Sequence, residues 1–272
     1  MLGILLAQPD AVVVVHDPFI AEGAWLNAVK RKIWYIHGAF AFTLDVTKFP
    51  QPLFAISNYP PAKPHPSWRN IFIAPVNLGI DCDKYKPMGV TKTGKLIIGI
   101  VGRISEEKIP LYFFDFIDKF NAEHPDHNFE FHFYGRGLAD SAFYKAFFER
   151  ARTTLNFYYK GFVEPAEAAS IYATFDCLIV PSTSESGSFV IVEAQSCGLR
   201  VYALNRDGIP YHMAANSVLC RDYDEMFKRL EYFKRKDAAM VAPLIRAQIV
   251  AKYGLVQWAY KLDLLAEMAS FI

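Results

Sequence analysis

Two glutamates, Glu185 and Glu193, stand with seven residues between them in the stretch 181–201, PSTSESGSFVIVEAQSCGLRV. An apolar run at 177–180 precedes it and reads as a buried strand. A turn of small polar residues, 182–188, leads to a helical pattern that begins near Phe189. Strand, tight turn and helix in that order build a ligand site at the carboxyl end of a parallel strand. The helix start offers free backbone N–H groups and the positive end of its dipole, which suit an anion such as a diphosphate. Glu185 lies on the turn and Glu193 about one turn inside the helix, so both face the same mouth. Carboxylates beside an anion site make sense as acceptors for hydroxyl groups on either side of it. A nucleotide-sugar has that layout: ribose hydroxyls, diphosphate, sugar hydroxyls. For two glutamates alone, a solvated loop acid and a helix acid favourable to the dipole are the stronger reading.

Other strand ends add to the pair. Gly102 and Arg103, with Lys108 shortly after, follow the apolar run at 96–101. They put two cations where a diphosphate would lie against the helix at Phe189. By themselves they read as surface charge, with Lys108 pairing to Glu106 or Glu107 for little energy. Gly135-Arg136-Gly137 lets backbone approach a ligand closely. Gly161-Phe162-Val163 supplies either a wall for a base or a plain turn.

These positions need a scaffold, and the chain alternates strand and helix throughout. In the first part, strands are expected at 11–15, 33–36, 53–56 and 71–74, with a basic-ended helix at 19–32. The proline-rich 60–66 cannot form a regular helix. The glycine- and proline-bearing 75–95 reads as an interdomain linker. A second series follows, with strands at 96–101, 129–134, 156–159, 177–180 and 200–204. Its helices are expected at 110–123, 140–153, 165–174, 222–234, 238–253 and 257–271. The fold class is therefore α/β, with two Rossmann-like domains and a parallel sheet in each. The expected divisions are 1–88, 89–255 and a carboxyl-terminal helix, 256–272, packing back on the first domain. That helix carries Leu255, Trp258, Ala259, Leu262, Leu265 and Met268 at helical spacing.

Composition bounds the function. The 272 residues are 53% hydrophobic and 21% charged, a core-forming balance, and the net charge of +1 gives no electrostatic case for nucleic acid. None of the four cysteines, Cys82, Cys177, Cys197 and Cys220, forms a Cys-x-x-Cys pair. Free buried thiols in a reducing, cytoplasmic compartment are expected. No apolar run approaches the roughly 18 residues that span a bilayer, and 1–7 lacks the basic leader of a signal peptide.

Taken in order, the blocks resemble the family 4 retaining glycosyltransferases of the GT-B fold. They are Val101-Gly102-Arg103 with Lys108, Tyr134-Gly135-Arg136-Gly137, Lys160-Gly161-Phe162-Val163, Pro181-Ser182 through Glu193-Ala194, Gly198 and Gly208-Ile209-Pro210. Residues 75–81 look like that family's linker, and Ser57-Asn58 like the end of its first domain. The resemblance covers most of 10–272, with specific spacing in the second half and looser spacing in the first. It implies an enzyme that moves a sugar from a nucleotide-diphosphate-sugar to a glycan, lipid or protein acceptor, with retention of configuration. It implies no metal, since cations and a helix dipole do the electrostatic work. Arg103 and Lys108 would neutralise the diphosphate. Glu193 would bind ribose, and Glu185 the transferred sugar. The N–H groups around Ser188, Phe189 and Val190 would hold the distal phosphate. Gly102, Gly135 and Phe162 would complete the donor site, and His37 matches a family histidine that faces the sugar, with a capping or core role equally open.

The departures are specific. Ser186-Gly187-Ser188 stands where the family has Gly-Phe-Gly, Arg200 where proline is common, and Tyr211 where an acid is common. The chain also begins close to the segment 12–17, so the first domain is expected to be shortened. Its uncovered strand edge would then be met by association, as a homodimer or with a membrane surface or partner protein. The competing function is a nucleotide-sugar-binding subunit or scaffold without transferase activity.

Overall fold

A computed structural model describes residues 13–16, 32–36, 44–49, 52, 54–57, 64–77, 79–90, 92 and 94–270. The chain forms two compact units, 1–79 with 255–272, and 80–254. His37, the segment 1–7 and the expected helix at 19–32 lie outside the described residues, apart from Lys32, which begins a strand instead of ending that helix.

In the first unit four strands, β1 (Val13–His16), β2 (Lys32–Ile36), β3 (Phe54–Ser57) and β4 (Ile73–Pro75), pair in sequence order, all parallel. Side chains alternate across the sheet. Trp34, Ile36 and Ala55 face one way and meet Val46, Trp68 and Ile71. Ile33, Phe54 and Ile56 face the other way and, with Ala74 and Val76, form a second cluster. Trp258, Leu262 and Leu265 of the last helix, Leu255–Ser270, pack on that second cluster. Both faces are therefore covered, as the uninterrupted apolar runs require. A 3-10 turn at Pro66–Asn70, opened by Pro66 and capped by His65, leads to β4. The strand consequently starts at Ile73, two residues later than the apolar run alone suggests.

The second unit holds β5 (Leu96–Val101), β6 (Phe129–Tyr134), β7 (Phe157–Tyr159), β8 (Cys177–Val180), β9 (Val201–Leu204) and β10 (Val218–Cys220). Their order across the sheet is β10-β9-β8-β5-β6-β7, and every pairing is parallel. β10 was not expected from the sequence. It is three residues long and only partly buried, too short for the alternation to register. Helices α1 (Phe113–Glu123), α2 (Ala142–Thr153) and α6 (Tyr223–Glu231) contribute Phe113, Phe114, Phe147, Met226 and Phe227 to the core on one face. Helices α3 (Ala168–Thr174), α4 (Phe189–Ser196) and the short α5 (Ile209–His212) contribute Ile171, Ile191, Ala194 and Ile209 on the other. Helix α7 (Arg235–Tyr253) packs beside α4.

The first boundary falls at 79/80, not at 88/89. Ile80 bridges Gly254 in parallel, and Tyr85 is buried in the α4 cluster. The Arg246 guanidinium donates to the carbonyls of Cys82 and Tyr85 at 2.9 and 2.8 Å. The segment 80–88, with Pro87, thus belongs to a strap bound to the second unit, while Gly79 ends the first. The second boundary lies at 254/255. All four cysteines are buried and unpaired, and among the described residues no helix is long and apolar enough to cross a membrane.

Candidate donor site

The connections from β5 run through β6 to β7, and those from β8 run through β9 to β10 in the opposite direction. β5 and β8 are neighbours, so the loops leaving their carboxyl ends diverge and leave a crevice between them. Gly102, Arg103 and Lys108 follow β5, and Pro181 to Ser188 follow β8. Topology therefore brings together two segments nearly eighty residues apart in the chain.

The Lys108 ammonium lies 3.0 Å from Glu185 Oε2, and the two side chains are 19% and 10% exposed. Glu185 Oε1 accepts from the Ser182 hydroxyl at 3.0 Å, and Lys108 also donates to the Ser184 carbonyl at 3.1 Å. Glu185 is thus a largely enclosed acceptor held by a cation, and the solvated-acid reading does not apply. Arg103 differs. Its side chain is 70% exposed and pairs with Glu107, one helical turn's spacing away. The structure brings Lys108 to Glu185 and leaves Arg103 at the rim.

Ser188 is the N-cap of α4, is buried, and makes no capping hydrogen bond with its side chain. The amides of Phe189, Val190 and Ile191 have no carbonyl one turn back inside the helix, so the helix start retains its attraction for an anion. Phe189 is exposed there, and Val190 packs against the α4 cluster.

Glu193 sits deeper. It accepts from the Tyr172 hydroxyl at 2.7 Å, and Tyr85 also bonds to it. Burial raises its carboxyl above the usual range, while the two tyrosine bonds and Lys84 act in the opposite direction. Neither tyrosine stands near Glu193 in the sequence, and no local pattern marks them as its partners.

The loop 181–188 is braced from four directions. The Tyr223 hydroxyl donates to the Pro181 carbonyl, and the Thr183 amide donates to the Glu107 carbonyl at 2.8 Å. The Gly208 amide donates to the Glu185 carbonyl at 2.7 Å, and His212 Nε2 lies 3.5 Å from the Ser186 carbonyl. A Cβ on Gly208 would stand 2.3 Å from the Ser186 oxygen, so only glycine allows this support. Gly135 does the same between the β5 and β6 loops: a Cβ there would meet the Gly102 oxygen at 1.8 Å. The glycines at 135 and 137 also let the chain's own backbone approach closely, at Gly102 and Ile104.

Phe162 follows β7 at the third loop, is 40% exposed, and lies under the Arg136 guanidinium, 4.1 Å from ring centre to Cζ. Among the described residues no group of three or more His, Cys, Asp or Glu side chains is placed to hold a metal ion.

The chain matches TarM with a TM-score of 0.75 at 16% identity, covering 97% of this chain and 56% of TarM. It matches HepE of Anabaena, solved in complex with UDP and glucose, with a TM-score of 0.75 at 15% identity, covering 98% of this chain and 80% of HepE. At these identities the likeness shows the fold, which is that of the GT-B glycosyltransferases. A curated relative, the D-inositol 3-phosphate glycosyltransferase of Segniliparus rotundus, is 44% identical over 50 residues, 18% of this chain and 11% of that protein. The chain therefore spans a little over half of TarM, and its match to the curated relative about a tenth of that protein. Residues 95–233, which carry both loops of the crevice and α4, match the glycosyl transferases group 1 family, and the chain belongs to that family.

Proposed function

We propose that the chain moves a sugar from a nucleotide-diphosphate-sugar to an acceptor hydroxyl, with retention of the anomeric configuration. The observation that carries this reading is the Lys108–Glu185 pair at 3.0 Å, beside the uncapped start of α4, where the sheet's connections diverge. A cation and a row of free amides suit the diphosphate, and an enclosed carboxylate suits the hydroxyls of the sugar attached to it. The bond that breaks joins the sugar to the diphosphate, so negative charge grows on the leaving oxygens. Lys108, Arg103 and the amides at Ser188, Phe189 and Val190 stabilise that charge as it forms, without reorganisation. Glu193, fixed by Tyr172 and Tyr85, is the acceptor for ribose hydroxyls. HepE, whose structure holds UDP and glucose, supports a diphosphate donor carrying a hexose.

Incubation with labelled nucleotide-sugars and a panel of glycan, lipid and peptide acceptors tests the reading. Transfer of label in the presence of a chelator is expected. Binding of donor without transfer to any acceptor would favour a nucleotide-sugar-binding subunit, and absence of donor binding would end both.

A further inference from the structure

We propose that the second unit carries a further ligand site, a cavity at the end of its sheet away from the donor crevice, and that this site takes an aliphatic monocarboxylate. Lys92, Asp176 and Leu199 stand shortly before β5, β8 and β9. The cavity they line therefore lies at the amino ends of these parallel strands, whereas the donor loops leave the carboxyl ends. Its volume is about 300 Å³, some twice the ~150 Å³ apolar cavity that takes up benzene. Pro87 and Met88 of the strap, Val90, Leu199, and Ala239 and Ala242 of α7 give it aliphatic walls. Met88 and Val90 are half-exposed, so the cavity opens to solvent.

The walls carry three charges, and two of them cancel. Asp176 accepts from the Arg235 guanidinium at 2.6 and 2.9 Å and from the Ile97 amide at 2.7 Å. Arg235 also donates to the carbonyls of Gly94 and Lys95, at 3.3 and 2.6 Å. Lys92 is the charge left over. Among the described residues its ammonium forms no ion pair, and its one hydrogen bond is to the Phe175 carbonyl. Burial pushes the Lys92 pKa below its usual value; Asp176 and Cys177 oppose the shift and Arg235 adds to it. A carboxylate beside this ammonium offsets the cost of taking it out of water. The start of α7 acts the same way: its N-cap, Lys234, makes no side-chain capping bond, and Ala238 and Ala239 of its first turns line the cavity. The guanidinium fork is already occupied, so the walls offer no second free cation for a phosphate, which brings about two negative charges. One spare positive charge beside aliphatic walls fits a single carboxylate on a hydrocarbon tail.

Calorimetric titration of the full chain with octanoate, octanol and acetate, using wild type, Lys92→Met and Ala239→Phe, decides the matter. Wild type should bind octanoate saturably, octanol about tenfold or more weakly, and acetate not measurably. Lys92→Met should bind octanoate no better than octanol and keep its octanol affinity, which shows the cavity intact. Ala239→Phe, a change at an exposed position, fills the space and should lose both probes. Octanoate that fails to saturate wild type would overturn the inference, and so would equal binding of octanoate and octanol. Wild-type octanoate affinity in Lys92→Met, or in Ala239→Phe, would place the probe elsewhere and overturn it as well. If Lys92→Met does not fold, the wild-type comparison and Ala239→Phe still decide.

Discussion

His212 is fully buried, with Nδ1 3.2 Å from the Tyr253 hydroxyl and Nε2 near the Ser186 carbonyl of the loop 181–188. Burial lowers its pKa to about 4; the Ser186 bond opposes the shift and Lys252 adds to it. An unfolded histidine titrates near 6.5, so the folded chain holds this proton more weakly than the unfolded chain. The stability it contributes is complete above that value and is lost as the pH falls through the window down to about 4. The loss is about 3 kcal/mol. Urea unfolding at pH 7 and pH 4.5 should show it, and His212→Gln should flatten the slope. A variant with an unchanged slope would contradict the assignment. Glu193 works in the opposite direction: its raised carboxyl contributes stability at low pH that is lost as the pH rises through its folded value. At this scale the sequence was partly legible. Lys108, Glu185 and Glu193 could be found because strand, turn and helix are local patterns. Tyr85, Tyr172 and His212 could not, because their partners lie 108, 21 and 26 residues away and no spacing rule connects them.

At the scale of elements, β5 and β8 have to be fixed side by side for the crevice to exist. Asp176, just before β8, accepts from the Ile97 amide of β5 at 2.7 Å and is gripped by Arg235 through bonds of 2.6 and 2.9 Å. Its side chain is 1% exposed. Asp176→Ala leaves the Ile97 amide and the guanidinium without this acceptor, a change expected to destabilise by about 3–5 kcal/mol. Denaturant midpoints measure this; a change under about 1 kcal/mol would place it with ordinary surface pairs. Gly135→Ala forces the β5 and β6 loops apart, because its new Cβ would overlap the Gly102 oxygen. Overpacking of that kind typically costs about 1–3 kcal/mol, and diphosphate affinity should fall with it. A stable variant with normal affinity would contradict the bracing role. Most strands and helices were legible from their apolar periods. β10 and α5 were not, being three and four residues long, and the strap at 80–88 was hidden because its hold comes from Arg246, over 150 residues away.

At the scale of the whole molecule, the last helix returns to the first unit. A Cβ on Gly79 would meet the Trp258 ring at 2.6 Å, so the helix lies close against the end of that unit's chain. Removal of 257–272 takes Trp258, Leu262 and Leu265 from the cluster of Ile33, Phe54 and Ile56. The truncated chain should bind more of an apolar dye while its diphosphate affinity stays near normal, because the second unit keeps its own core. A truncation with no new dye binding would contradict this packing. The alternation of strand and helix revealed the fold class. The position of the last helix could be expected only from the resemblance, since an apolar stripe does not say which surface it covers.

The central claim is that Lys108 and Glu185 hold the diphosphate and the sugar of one donor. Calorimetric titration of a nucleoside diphosphate and the matching nucleotide-sugar, in chelator, into wild type and Glu185→Gln tests it most directly. Losing the carboxylate frees Lys108, so the plain diphosphate should bind Glu185→Gln at least as tightly as wild type. The nucleotide-sugar should bind it more weakly by about 1.5–3 kcal/mol, the worth of hydrogen bonds to a charged group. Equal weakening of both ligands, or binding that disappears in chelator, would contradict the account.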